Sequence, residues 1–290
     1  MFAFPRSIVD NARGTVVSEV AVQLPAREPR LELVNHYPAV ATTAPMSGEI
    51  RMFDLNPLLD RKALATAFSK TGRVQIRDIL TEESAGNLHR IVSRATPWGL
   101  AWHAGSDGPH NVPEPQLRAL SPAAQASIQH KLGTAMRGRD YAFLYAQYPM
   151  VHAYLQKWAP GGPHDLIVEL INDLPLMELV REVTQMDQLT KADAQATLYA
   201  PGNFLAMHDD SHVAEGWRVA YVLNLCAVDW RPEWGGYLNF YNSDGDVVEG
   251  FKPRFNALNL FRVPQPHAVS YVPPFAPQAR FAITGWFRDR

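Results

Sequence analysis

The stretch AMHDDSHVAEGWRVAYVLNL, from Ala206 to Leu225, packs two histidines and two aspartates into five residues and then becomes a strand-like alternation. It belongs to a series. From Ala194 onward short strand-like runs follow closely: ATLYA, RVAYVLNL, GGYLNFYN, ALNLFRV, HAVSYV and RFAITGWF, separated by glycine, proline, asparagine and aspartate. Many short strands joined by close turns predict an all-β sandwich or barrel. The architecture expected is a double-sheet jelly roll.

Toward the N-terminus the texture becomes helical. Asn56-Pro57 reads as an N-cap followed by proline at the first helical position, Leu58, Leu59, Leu64 and Phe68 supply an apolar face, and Gly72 ends the helix. RVQIRDIL (Arg73 to Leu80) alternates Val74 and Ile76 with polar residues and predicts a strand. Thr81 caps a second helix to about Arg94, with Leu88, Ile91 and Val92 on one face, and Ser121-Pro122 opens a third to about Met136. DYAFLYAQYPMV (Asp140 to Val151) reads as a strand, and Pro163 and Pro175 mark helices around 165–172 and 176–185. The class is therefore α+β, with the helices buttressing one sheet. Residues 1–50 are expected to form an N-terminal extension without clear period, apart from a candidate strand at Val16 to Leu24. Residues 51–290 are expected to be a single domain with its β core at about 194–290.

Composition narrows the function classes. At 290 residues and a formal net charge of -2, the chain has no basic excess that suggests a nucleic-acid partner. No stretch approaches the roughly eighteen apolar residues that spanning a membrane takes. The single cysteine, Cys226, lies in an apolar strand pattern and reads as a core residue. One cysteine requires no oxidising compartment, and the start lacks a basic region followed by a long apolar run, so a cytoplasmic location is expected.

The polar cluster carries the chemistry. Residues i and i+2 of a strand point to the same face, so His208 and Asp210 can converge while Asp209 points away. A distant strand must supply a third ligand, and His267, at the start of HAVSYV, is the best candidate. Two histidines and a carboxylate on one face of an octahedral metal leave positions open for substrates, the arrangement of non-haem Fe(II) oxygenases. Arg280 begins the last strand and has the fork geometry to hold a dicarboxylate. Arg280, Ala282, Thr284 and Trp286 share a face by parity, so Thr284 can add a hydroxyl to the same anion site and Trp286 can give it an apolar wall.

Other polar and aromatic residues read more plainly. His212 stands four residues after His208, as on a zinc helix, but the glutamate of His-Glu-x-x-His is missing; it reads as a loop residue at the pocket mouth. His164-Asp165 suits a helix N-terminus. His103 and His110 lie in a glycine-rich stretch, 98–115, read as a solvent-facing loop or lid. Tyr141, Phe143, Tyr145 and Tyr148 are either core residues or a substrate-binding wall. Gly235-Gly236 reads as turn chemistry, and Arg218 and Arg262 as surface or ion-pair residues.

The order His-x-Asp, Gly-Gly, His, Arg, TGWF resembles the 2-oxoglutarate and Fe(II)-dependent oxygenases. It is most similar to their prolyl hydroxylase branch, and to the ribosomal-protein prolyl hydroxylases in particular. The matching segments are YAPGNFLAMHDD (Tyr199 to Asp210), RVAYVLNLCAVDW (Arg218 to Trp230), GGYLNFY (Gly235 to Tyr241), NLFRVPQPHAVSYV (Asn259 to Val272) and RFAITGWF (Arg280 to Phe287). A weaker match lies at 54–100. The resemblance implies a double-stranded β-helix, a jelly-roll variant. It implies iron held by His208, Asp210 and His267, with Arg280 on the distal carboxylate of 2-oxoglutarate and Tyr199 shaping the cosubstrate pocket. It also implies O₂ as oxidant, ascorbate as a supporting reductant, and succinate and CO₂ as co-products of a C–H hydroxylation. Two positions depart from the family pattern: Ala282 stands where many members have serine, and Val222 where some have tyrosine, with Tyr221 beside it on the opposite face.

The expected substrate is a prolyl residue of a protein or peptide. A free amino acid or small metabolite would use the same motif set. A non-catalytic jelly-roll binding module would have lost a ligand or the arginine, and this chain keeps them. A zinc hydrolase built on His208 and His212 would need helical periodicity there, and the sequence has none. Oligomeric state is not legible.

Overall fold

The computed structural model describes residues 52–290, so the candidate strand at Val16 to Leu24 and the remainder of residues 1–51 lie outside the described residues. In chain order the first part carries α1 (Arg61–Thr71), β1 (Arg73–Arg77), α2 (Glu82–Arg94), β2 (Gly99–Ala104), β3 (Asp107–Val112), α3 (Glu114–Arg118), α4 (Pro122–Gly138), β4 (Ala142–Tyr148), α5 (Met150–Leu155), α6 (Pro163–Ile171) and α7 (Leu174–Thr184). The second part is β5 (Lys191–Ala192), β6 (Gln195–Tyr199), β7 (Phe204–His208), β8 (Trp217–Leu225), β9 (Leu238–Tyr241), β10 (Val247–Phe251), β11 (Phe255–Arg262), β12 (His267–Val269) and β13 (Arg280–Arg288). Among the described residues no helix is long and apolar enough to cross a membrane.

Caps fix the helix ends. The Thr81 hydroxyl accepts from the Ser84 N–H at the start of α2, and Ser121 does the same for the Ala124 N–H in α4. Helix α1 begins later than the sequence predicts. The Asn56 N–H donates to the Ile79 carbonyl at 2.9 Å, and Leu55 bridges Leu80, so the chain is held extended at that point. Asp60 therefore caps α1, accepting from the Ala63 N–H, and Leu58, expected on the apolar face, is 88% exposed. Gly72 ends α1 in the left-handed conformation, as expected.

Two further readings are corrected. The stretch 98–115 is not a loop: β2 and β3 form a hairpin, and β2 pairs along its whole length with β4, burying Trp98 and Trp102. Gly105, Gly108 and Pro109 mask the alternation there. His103 stacks on Phe143, and His110 stacks on Trp102 and pairs with Asp107. The strand expected to run to Val151 ends at Tyr148, because Met150 and Val151 open α5 after Pro149.

All the pairings are antiparallel, and neighbouring strands follow the path β1-β11-β8-β13-β6-β4-β7-β12-β9-β10. Strand β4 turns one sheet into the other: Ala146, Gln147 and Tyr148 pair with β6, while Phe143 and Leu144 pair with β7. The result is a nearly closed, jelly-roll-like barrel. Strand parity divides its core. Val219, Tyr221, Leu223 and Leu225 of β8 face outward onto Leu88 and Val92 of α2 and Leu176 and Val180 of α7. Ala220 and Val222 face inward with Phe240 and Phe261. Each such buried aliphatic side chain contributes about 1.5–3 kcal/mol, so the helices stabilise the outer face while leaving the inner face for a cavity.

Two glycines are required by close approach. A Cβ on Gly285 would lie 2.1 Å from the Asp193 carbonyl oxygen, and one on Gly235, at φ +59, would lie 1.9 Å from that of Tyr271. The first lets β13 pack against the turn after β5; the second makes Gly235-Gly236 the turn expected before β9.

Candidate metal centre

His208 is the last residue of β7 and His267 the first of β12, and the antiparallel register sets them directly opposite each other. Their ring centroids are 4.1 Å apart. Asp210 joins them by a different route from strand parity. The strand has already ended, and Asp210 adopts φ +57, a left-handed conformation that aspartate tolerates better than most residues. This turn swings its carboxylate back over the histidines. Asp209 points away as expected, exposed and accepting from the Ser211 N–H.

The three side chains converge. Asp210 Oδ1 lies 3.3 Å from His208 Nε2 and Oδ2 lies 3.5 Å from His267 Nε2. One ligand atom from each falls within 4.8 Å of the others, a spacing that suits one metal ion. Backbone carbonyls fix the tautomers. His208 Nδ1 lies 3.0 Å from the Ala206 carbonyl oxygen and His267 Nδ1 2.7 Å from that of Gln265. With Nδ1–H donating to a carbonyl, each ring turns its Nε2 lone pair inward. Trp286 Nε1 donates to Asp210 Oδ2 at 2.9 Å and holds the carboxylate in place.

Electrostatics prepare the same cluster for a cation. Burial pushes the His267 imidazole down to about 4, helped by the neighbouring His208, so it stays neutral. Burial alone would raise the Asp210 carboxyl, but the hydrogen bond from His208 and the nearby imidazoles hold it below the usual carboxylate range. Burial works against protonation of His208 as well, but its hydrogen bond and charge attraction to Asp210 win and raise it.

A buried guanidinium lines the same cavity, whose volume is about 360 Å³. Arg280 is 2% exposed, and its Nη1 is buried without a partner. Its guanidinium lies over the Tyr199 ring, 5.3 Å from the centroid, and Tyr199 stacks on Tyr145. Asn224 accepts from its Nε and Nη2 at 3.3 and 3.2 Å. Burying a guanidinium opposite no carboxylate is costly, so the arrangement suits an anion from outside.

Every site residue expected from the sequence lines this cavity: His208, Asp210, His267, Arg280, Tyr199, Thr284, Trp286, Tyr145 and His212. His212 stays outside the convergent trio, paired with Glu215 and packed on Trp217. Tyr141, Phe143 and Tyr145 of β4 form a wall, while Tyr148 packs on His164 instead. Sequence reasoning missed Asn224 and Trp217. An asparagine inside the apolar run VLNL was a signal for the first. Trp217 stacks on Trp286 at 3.8 Å, a pairing that only the β8–β13 register reveals.

A family model described as the 2OG-Fe(II) oxygenase superfamily matches residues 194–288. No curated protein matches the chain. Among solved structures, an oxidoreductase of the 2OG-Fe(II) oxygenase family from Burkholderia pseudomallei is similar at 13% identity and TM-score 0.51, over 84% of this chain and 97% of that one. A prolyl hydroxylase from Trichoplax adhaerens, in complex with a hypoxia inducible factor peptide fragment, is similar at 15% identity and TM-score 0.50, over 79% and 89%. A prolyl-4-hydroxylase from Pseudomonas putida is similar at 17% identity and TM-score 0.49, over 82% and 95%. At these identities the Burkholderia and Trichoplax likenesses speak to the fold alone.

Proposed function

Residues 194–288 match the 2OG-Fe(II) oxygenase superfamily, and on that premise we propose that the chain is a 2-oxoglutarate- and Fe(II)-dependent dioxygenase that hydroxylates a prolyl residue of a protein or peptide. In this reading His208, Asp210 and His267 are the iron ligands and Arg280 takes the distal carboxylate of 2-oxoglutarate. Fe(II) bound there, with 2-oxoglutarate and O₂, supplies oxidative decarboxylation to succinate and CO₂ coupled to hydroxylation of a substrate C–H bond.

The residues of the chain do the rest. The Nδ1 contacts to Ala206 and Gln265 aim both imidazoles, and Trp286 orients Asp210. Arg280 would hold the distal carboxylate of the cosubstrate, with Thr284 lining the same cavity. Tyr145 and Tyr199, stacked on each other, line the cavity beside Arg280. Tyr141, Phe143, Trp217 and Trp286 line the same cavity, an aromatic lining that suits a compact apolar ring.

The observation that carries the peptide reading is one of charge. Among the described residues lining the cavity, Arg280 is the only lysine or arginine, and the cosubstrate uses it. A free amino acid brings a carboxylate of its own and finds no second cation, whereas a residue within a chain presents neutral amides. The Trichoplax relative holds a peptide in its structure, which is in keeping with this substrate class. A cytoplasmic location completes the reading, in keeping with the single buried, free Cys226.

The test is succinate release with Fe(II), ascorbate and air, with prolyl peptides or with free amino acids, using His208→Ala as the blank. Stimulation by peptides is the expected outcome. Stimulation by a free amino acid alone would move the substrate class to small metabolites.

A further inference from the structure

Among the described residues lining the cavity, Arg280 is the only arginine or lysine, and none of the described carboxylates forms an ion pair with it. Its one side-chain hydrogen-bond partner among the described residues is Asn224, which is 0% exposed. The sheet register explains the meeting. Asn224 of β8 sits directly opposite Ala282 of β13, and Arg280 lies two residues along, on the same inward face. The amide is itself held: its Nδ2 donates to the Val222 and Ala257 carbonyls at 3.4 Å, which turns Oδ1 toward the guanidinium. Oδ1 takes the Nε and Nη2 edge, and the Tyr199 ring covers one face. The Nη1 group is left without a partner.

We propose that Asn224 is the positioning residue of the cosubstrate site: a neutral acceptor that fixes the Arg280 fork while leaving its charge for the distal carboxylate of 2-oxoglutarate. An aspartate here would fit the same space and keep the acceptor on Nε and Nη2, but it would lose the two donations to the Val222 and Ala257 carbonyls, neutralise the guanidinium and repel the incoming anion. An apolar residue would leave Nε unsatisfied and the fork free to turn. The amide is the side chain of this size that gives orientation without charge. This inference rests on the cosubstrate role of Arg280 proposed above.

The experiment is calorimetric titration of the Mn(II)-loaded protein with 2-oxoglutarate and, separately, with pyruvate, which carries the 2-oxo acid but no distal carboxylate. Wild type, Asn224→Asp and Asn224→Ala are compared, with thermal unfolding as the check on folding. For Asn224→Asp the expected result is at least a tenfold loss of 2-oxoglutarate affinity, with pyruvate affinity unchanged within twofold. Asn224→Ala should show a smaller loss for 2-oxoglutarate alone. Equal losses for both ligands would mean that Asn224 only supports the barrel, and would overturn the proposal. So would undiminished 2-oxoglutarate binding by Asn224→Asp. A wild type that binds pyruvate and 2-oxoglutarate equally would instead remove the role given to Arg280, and the positioning role with it.

Discussion

At the scale of single residues, the site depends on how a few polar atoms are aimed. Trp286→Phe keeps the stack on Trp217 but removes the donor to Asp210 Oδ2. Metal affinity should fall roughly 10–100-fold, as is usual when a group that orients a ligand is lost, and equilibrium metal titration reads it. Arg280→Lys keeps the charge and loses the fork; the KM for 2-oxoglutarate should rise about tenfold or more. The raised His208 sets a pH dependence. A proton and a metal compete for its Nε2, so metal affinity should fall about tenfold per pH unit below its raised pKa, and metal titrations between pH 7 and pH 5 measure this.

Elements are held by devices the sequence declares openly and by approaches that it hides. Thr81→Ala removes the cap of α2 and should cost about 1 kcal/mol in urea unfolding. Gly285→Ala should cost more, about 1–3 kcal/mol, because its methyl meets the Asp193 carbonyl, a backbone atom held by the β5–β13 pairing. The first effect follows from a pattern of neighbours in sequence. The second needs residues far apart in the chain, and no local pattern reports it. The same division explains the β2–β3 hairpin. Its glycines and Pro109 read as loop, while the pairing with β4 that makes it a strand comes from residues forty positions on.

For the molecule as a whole, acid stability has a specific weak point. His164 is buried where α6 meets the sheet, hydrogen-bonded to the Thr96 hydroxyl and packed on Tyr148. Burial pushes its imidazole down to about 4, against 6.5 for the ordinary group. A depressed histidine binds its proton in the unfolded chain first, so its stabilising effect is complete above pH 6.5 and is lost as pH falls toward 4. The loss across that window is about 3 kcal/mol. His164→Gln should flatten the pH dependence of urea unfolding between pH 7 and pH 4.5 relative to wild type. We further propose that residues 51–290 act as a single domain, for which retained 2-oxoglutarate binding by a chain shortened to them is the check.

What the sequence determined by itself was chemistry and parity. The alternation along β8 and β13 separates outward Val219, Tyr221, Leu223, Ile283 and Phe287 from inward Val222, Arg280, Thr284 and Trp286, because a strand has period two. It likewise marked His208, Asp210, His267 and Arg280 as a set, since few chemistries combine those groups. The tertiary structure decided how they meet. Asp210 reaches the histidines through a left-handed turn, not along the strand, and His208 faces His267 because β7 and β12 adopt one register. Asn224 comes beside Arg280, and Trp217 beside Trp286, for the same reason. Registers are set by the packing of whole sheets against one another, and that information is spread over the chain and carried by no single stretch.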